Sequence, residues 1–92
     1  MKLYGVMYQD YSGDAGSGID EKLFVSVDKA SHEARDSADE CVTELNECGD
    51  DEYGPYKVKS KKMGNNLFAF EIIDKSGVPV EGYCVVEFEV DL

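Results

Sequence analysis

The sequence predicts an α+β domain: a two-layer sandwich with one helix packed on an antiparallel sheet of four to five strands, in the order ββαβββ. Three observations carry this expectation. Apolar residues alternate with a period of two over residues 3–9 and 22–27. The period lengthens to that of a helix between residues 30 and 48. It returns to two over residues 56–63, 67–73 and 83–90. With 92 residues the chain makes one domain, 1–92. Its 42% hydrophobic content separates it from disordered chains despite a net charge of -11.

The first strand, LYGVMYQ, places Tyr4, Val6 and Tyr8 on one face. SGDAGSGI, residues 12–19, reads as a glycine-rich loop. KLFVSV, residues 22–27, is the expected second strand, with Leu23, Val25 and Val27 on one face. The loop is too long for a two-residue hairpin, so the register stays open. Ala30, Ala34, Ala38, Cys41, Leu45 and Cys48 then recur at steps of four and three, an amphipathic helix. Asp28 or Ser31 caps its start and Gly49 ends it. The small residues early in this stripe let the helix lie close to the sheet. GNN at 64–66 signals a tight turn between the next two strands. DKSGVPVEG, residues 74–82, leads to the last strand. Pro79 confines Val78–Val80 to an edge or a loop. The expected core is Val6, Val25, Val27, Ala38, Cys41, Leu45, Val58, Phe68, Phe70, Ile72, Val86, Phe88 and Val90. One helix covers one sheet face, leaving Leu3, Met7, Phe24, Ala69, Ile73 and Val85 on the other. Either a partner or the 10–21 segment covers that face.

The sequence contains no pattern that announces catalysis. His32, the one histidine, falls on the polar side of the helix's first turn, away from cysteines that read as small core hydrophobes. Cys41 and Cys48 lie about 10 Å apart along a helix, too far for a disulfide. Zinc would need three or four convergent nitrogen or sulfur ligands. In DYSGDAGSGIDE, Asp10, Ser12, Asp14 and Glu21 fall at calcium-loop positions, but Ala15 stands where the sharp turn needs glycine. No carboxylate pair sits in an apolar pocket that would raise one pKa. Neither a metal nor a cofactor is expected. No apolar run reaches the roughly 18–20 residues of a membrane span, and the opening MKLYGVMYQDY lacks a leader's hydrophobic region. The expected compartment is the cytosol.

Charge layout is more informative. Residues 1–56 hold four cations and fourteen acids, whereas residues 57–62 hold four cations and no acid. Glu33, Asp36, Asp39, Glu40, Glu44 and Glu47 form a stripe on the helix, extended by Asp50, Asp51 and Glu52. Like charges at these spacings weaken a helix slightly. The stripe reads either as a solubilising face or as a docking surface for a basic groove. Lys57, Lys59 and Lys61 share one face of the fourth segment, with Lys62 on the other. Three readings compete for this ladder. Lysines protect a sheet edge from aggregation. They neutralise Glu71, Glu87 or Glu89 across the sheet. Or they bind phosphates or an acidic protein surface, with Tyr53, Tyr56 and Tyr83 available for stacking.

The length, the opening MKLYGVMYQDYSGD and the α+β order resemble a phage-encoded anti-CRISPR protein of type I-F. The resemblance implies a non-enzymatic inhibitor that binds Cas protein subunits of an RNA-guided surveillance complex and blocks target DNA; on the charge layout, the lysine ladder could then contact its guide RNA. It implies action in the bacterial host cytoplasm; the net negative charge argues against binding free DNA, and the lack of a long apolar run argues against a membrane. Such complexes hold guide and target in basic channels, which an acidic helix would fit. Anti-CRISPR families share no motif, so the candidate residues remain those of the charge layout. Two alternatives stand beside it: an acidic DNA mimic aimed at another nucleic-acid enzyme, and a small phage accessory protein that self-associates.

Overall fold

The computed structural model describes residues 1–11, 17–19, 22–48, 53–64 and 67–91. Its elements are β1 (Lys2–Asp10), β2 (Ser17–Ile19), α1 (Val27–Glu47), β3 (Lys57–Lys62), β4 (Phe68–Ile73) and β5 (Pro79–Glu89). One helix packs on a five-stranded antiparallel sheet of order β2-β1-β5-β4-β3. The α+β class and the ββαβββ order are as the periodicity predicts. The first and last strands form the long central ladder, from Lys2 opposite Glu89 to Asp10 opposite Glu81. β3 therefore lies at an edge of the sheet.

The helix approaches closely because its buried stripe is alanine. Ala30, Ala34 and Ala38 are each 0% exposed, one above the other at four-residue steps. They meet Val6, Phe70 and Val85, with Tyr4, Phe24, Val27, Val58, Phe68 and Tyr83 packed around them. Ile72 is also fully buried. Cys41 and Leu45 are only half-buried, towards the end of the helix. Cys48 is exposed, and the three thiols are free.

The second strand is Ser17–Ile19, not residues 22–27. Within 22–27 only Phe24 pairs with β1, in an isolated bridge to Tyr4 closed by two 2.8 Å backbone bonds. Val25 is 66% exposed, and Val27 is the first residue of the helix. Ser26 occupies the N-cap, so Asp28 and Ser31 lie inside the helix rather than capping it. The helix ends at Cys48, whose N–H donates to the Glu44 carbonyl. The expected stop at Gly49 lies outside the described residues, as do Asn65 and Asn66 of the turn.

β5 presents the opposite face from the one its pattern predicts. Val85, not Val86, Phe88 and Val90, joins the core, and Phe24 also faces the helix. A register shift explains the inversion. Ile73 is opposite Pro79, yet Ile72 is opposite Glu81, so one extra residue bulges in between. A one-residue slip moves every following side chain to the other face. Without the bulge Phe70 would stand opposite Gly82, and Cys84, Val86 and Phe88 would face the helix. The preceding turn is pinned by Asp74. Its Oδ1 accepts from the N–H groups of Ser76 (2.8 Å) and Val78 (3.0 Å), and Gly77 takes the left-handed conformation, φ 85°.

The open face is accordingly more apolar than expected. Leu3, Met7, Ala69 and Ile73 share it with Cys84, Val86 and Phe88. Neighbouring chain covers part of it. Leu23 and Ile19 lie over Gly5, and the Tyr11 ring lies over Gly82.

Candidate functional site

The pairing of β3 with β4 puts Lys57, Lys59 and Lys61 on the open side, opposite Ile73, Glu71 and Ala69. Alternation spaces them by about 6.5–7 Å. Lys62 lies on the helix side with Val58 and Ser60, and all four lysines are exposed. Glu71 stands directly opposite Lys59, yet no ion pair joins them. Among the described residues the ion pairs are the N-terminal ammonium with Glu89 and Lys2 with Glu87, each at 3.5 Å. Glu87 and Glu89 thus serve cations at the other end of the sheet. The lysine row is left without a carboxylate partner among the described residues.

Two contacts fix where this strand begins. The Asn46 side chain accepts from the Tyr56 N–H at 2.8 Å and donates to the Tyr56 carbonyl at 3.2 Å. The end of the helix thereby holds the start of β3. Tyr56 is half-buried, and Tyr53 is 49% exposed beside it. Tyr83 is not part of this group. It faces the helix, 5.3 Å from Tyr8 between ring centroids, on the opposite side of the sheet from the lysine row.

Asp36, Asp39, Glu40, Glu44 and Glu47 are exposed on α1, and Glu33 is half-buried. Their alanine-rich reverse side is in the core, so the acidic stripe faces away from the sheet. The acidic stripe and the row Lys57, Lys59 and Lys61 therefore lie on opposite sides of the molecule, with Lys62 on the helix side and Glu71 among the lysines. Asp50, Asp51 and Glu52 lie outside the described residues, as do Ser12, Asp14, Ala15 and Glu21 of the calcium-like loop. Among the described residues no three His, Cys, Asp or Glu side chains converge as a metal site. No helix is long and apolar enough to cross a membrane.

A polar cluster that the sequence pattern missed sits at the seam between α1 and the sheet. The Cys41 thiol donates to the Glu81 carboxylate. The Tyr8 hydroxyl donates to the same carboxylate at 3.3 Å. Burial and then the Glu81 charge push Tyr8 up to about 12. Burial and the bond to Glu81 likewise push the Cys41 thiol up to about 12. Burial also raises Tyr83. An activated nucleophile needs the reverse, a thiol depressed towards the thiolate. These residues are distant in sequence, and the β5 bulge places Glu81 on the helix side. Local pattern therefore carries no signal for the cluster.

Two grooves flank the lysine strand. One, of about 600 Å³, runs between the helix and β3, with Phe68 and Phe70 below and His32 and Arg35 beside them. The other, of about 260 Å³, lies on the open face between Tyr11 and Lys61, over Glu71 and Cys84. Both are open clefts. No protein-family model matches this chain, and comparison with curated proteins and with solved structures yields no match.

Proposed function

We propose that this protein is a non-catalytic inhibitor that docks on a nucleic-acid-handling complex through its lysine strand and its acidic helix. The observation that carries the reading is the exposed row Lys57, Lys59 and Lys61, without a carboxylate partner among the described residues, on the side opposite the acidic stripe. Surfaces of opposite sign steer association and fix orientation on a partner that itself carries both signs. A complex of basic protein subunits around a guide RNA is such a partner. The resemblance to type I-F anti-CRISPR proteins makes an RNA-guided surveillance complex of that type the target of choice. Docking would keep target DNA from entering or hybridising.

The test is a mobility shift of labelled target DNA by the guide-loaded type I-F complex, titrated with this protein. The expected result is loss of the shifted band at near-stoichiometric protein, with no shift of DNA by the protein alone. An undiminished band at large excess contradicts the proposal.

A further inference from the structure

We propose that the β3 edge takes up an extended acidic segment of a partner protein as a sixth strand. This rests on reading the lysine strand as a binding surface, and not on which complex supplies the partner. Three features of the edge converge on it.

The first is backbone polarity. In an antiparallel ladder, alternate residues of an edge strand turn their N–H and C=O groups outward. The Met63 N–H donates to the Leu67 carbonyl at 2.7 Å, which sets the phase of the β3–β4 ladder. Lys57, Lys59 and Lys61 then bond inward to β4, and Val58, Ser60 and Lys62 offer their backbone groups outward. The second feature is where this phase puts the lysines. Against an added antiparallel strand they fall in the non-hydrogen-bonded pairs, where facing side chains approach most closely. Three ammonium groups on one side select three carboxylates at alternate positions. The third feature is the groove on the helix side. The remaining side chains of the added strand point towards it, over Phe68 and Phe70. A segment with carboxylates on one face and small apolar residues on the other meets both demands. Pairing main chain with main chain gives affinity, and alternate side chains give specificity.

Lysines on an edge also discourage pairing between identical strands. Two β3 edges brought together would oppose their lysine rows. The same residues that block self-pairing thus admit an acidic strand. Single-stranded RNA, the competing class of ligand, would satisfy the lysines but not the outward amides. Tyr83 faces the helix, the Tyr11 ring on the lysine side is packed over Gly82, and Glu71 stands opposite Lys59.

The experiment uses isotope-labelled full-length protein and three probes: a short peptide alternating Glu and Val, its counterpart alternating Lys and Val, and an oligouridine. The Glu–Val peptide is expected to bind with salt-sensitive affinity and to slow hydrogen exchange at the Val58, Ser60 and Lys62 amides. The Lys–Val peptide should not bind. Ser60→Pro removes one outward N–H without changing charge, a substitution an edge strand tolerates, and should weaken the peptide by about tenfold or more. Binding without protection of those amides, equal binding by the Ser60→Pro variant, or stronger binding of oligouridine would overturn the proposal. Peptide protection without docking on the surveillance complex would contradict only the proposed function. Docking on the complex without peptide protection would contradict only the added strand.

Discussion

At the scale of single residues, Cys41, Tyr8 and Glu81 make the most testable arrangement. The unfolded chain would release the Cys41 proton near 9.0 and the Tyr8 proton near 10.0, and the native state holds both to about 12. Between those values the native state binds more protons than the unfolded one, so stability falls as pH rises. The contribution is fully present below pH 9 and is lost progressively as pH rises from 9 towards 12. Urea melts at about pH 8 and about pH 11 should show a lower midpoint at the higher pH. Glu81→Gln should shrink that drop, and a midpoint that holds steady would contradict the assignment. The three thiols should also differ in reactivity. Cys48 is exposed, whereas burial raises both Cys41 and Cys84. Near pH 8, iodoacetamide should modify Cys48 faster than Cys41 by about tenfold or more, read by mass spectrometry. The cysteines looked alike in the sequence because a small apolar stripe residue and a hydrogen-bonded thiol share the same local pattern. What separates them is Glu81, forty positions away and placed by a bulge.

At the scale of elements, the helix shows both what periodicity reveals and what it omits. The steps of Ala30, Ala34 and Ala38 were legible and mark the stripe that meets the sheet. The start was not, because 22–27 alternates like a strand, yet its backbone pairs with β1 only at Phe24 and then enters the helix. The phase of β5 was illegible for a similar reason. Val85 and Val86 are adjacent, so both phases bury a valine, and the Ile72–Ile73 register shift decides between them. The acidic stripe was legible along the helix, where five of its six carboxylates are exposed and Glu33 is half-buried, because charges at helical steps need no tertiary information. It also carries a cost. The last turn of α1 has no basic residue, and Glu44 and Glu47 sit at its negative end. Glu47→Lys should therefore raise stability by about 0.3–1 kcal/mol in urea unfolding. A loss of stability would show that Glu47 makes a favourable contact instead. In the sheet, Ile72 is fully enclosed, and Ile72→Ala should cost about 2–5 kcal/mol by the same measurement. A change below about 1 kcal/mol would contradict its place in the core.

At the scale of the whole molecule, the chain is 50 × 23 × 18 Å, with its acidic helix on one side and its lysine row on the other. The concentration of lysine in residues 57–62 was plain in the sequence. Whether neighbouring glutamates neutralised it depended on strand order, which sequence pattern does not encode. The sheet puts β3 at an edge and β5 beside β1, so Glu87 and Glu89 serve Lys2 and the N-terminus instead. Glu71 still faces Lys59 across the β3–β4 ladder, without an ion pair between them.

Whether this ladder binds a partner is decided by one comparison. Wild type, a variant with Lys57, Lys59 and Lys61 changed to glutamate, and a variant with Asp36, Glu40 and Glu44 changed to lysine would be measured for binding to the guide-loaded type I-F surveillance complex, each first shown to be folded. Wild type is expected to bind, and either reversal to weaken binding by about tenfold or more. Equal binding by wild type and the lysine-reversed variant, with loss only on the helix, would make the protein an acidic mimic and contradict binding by the ladder.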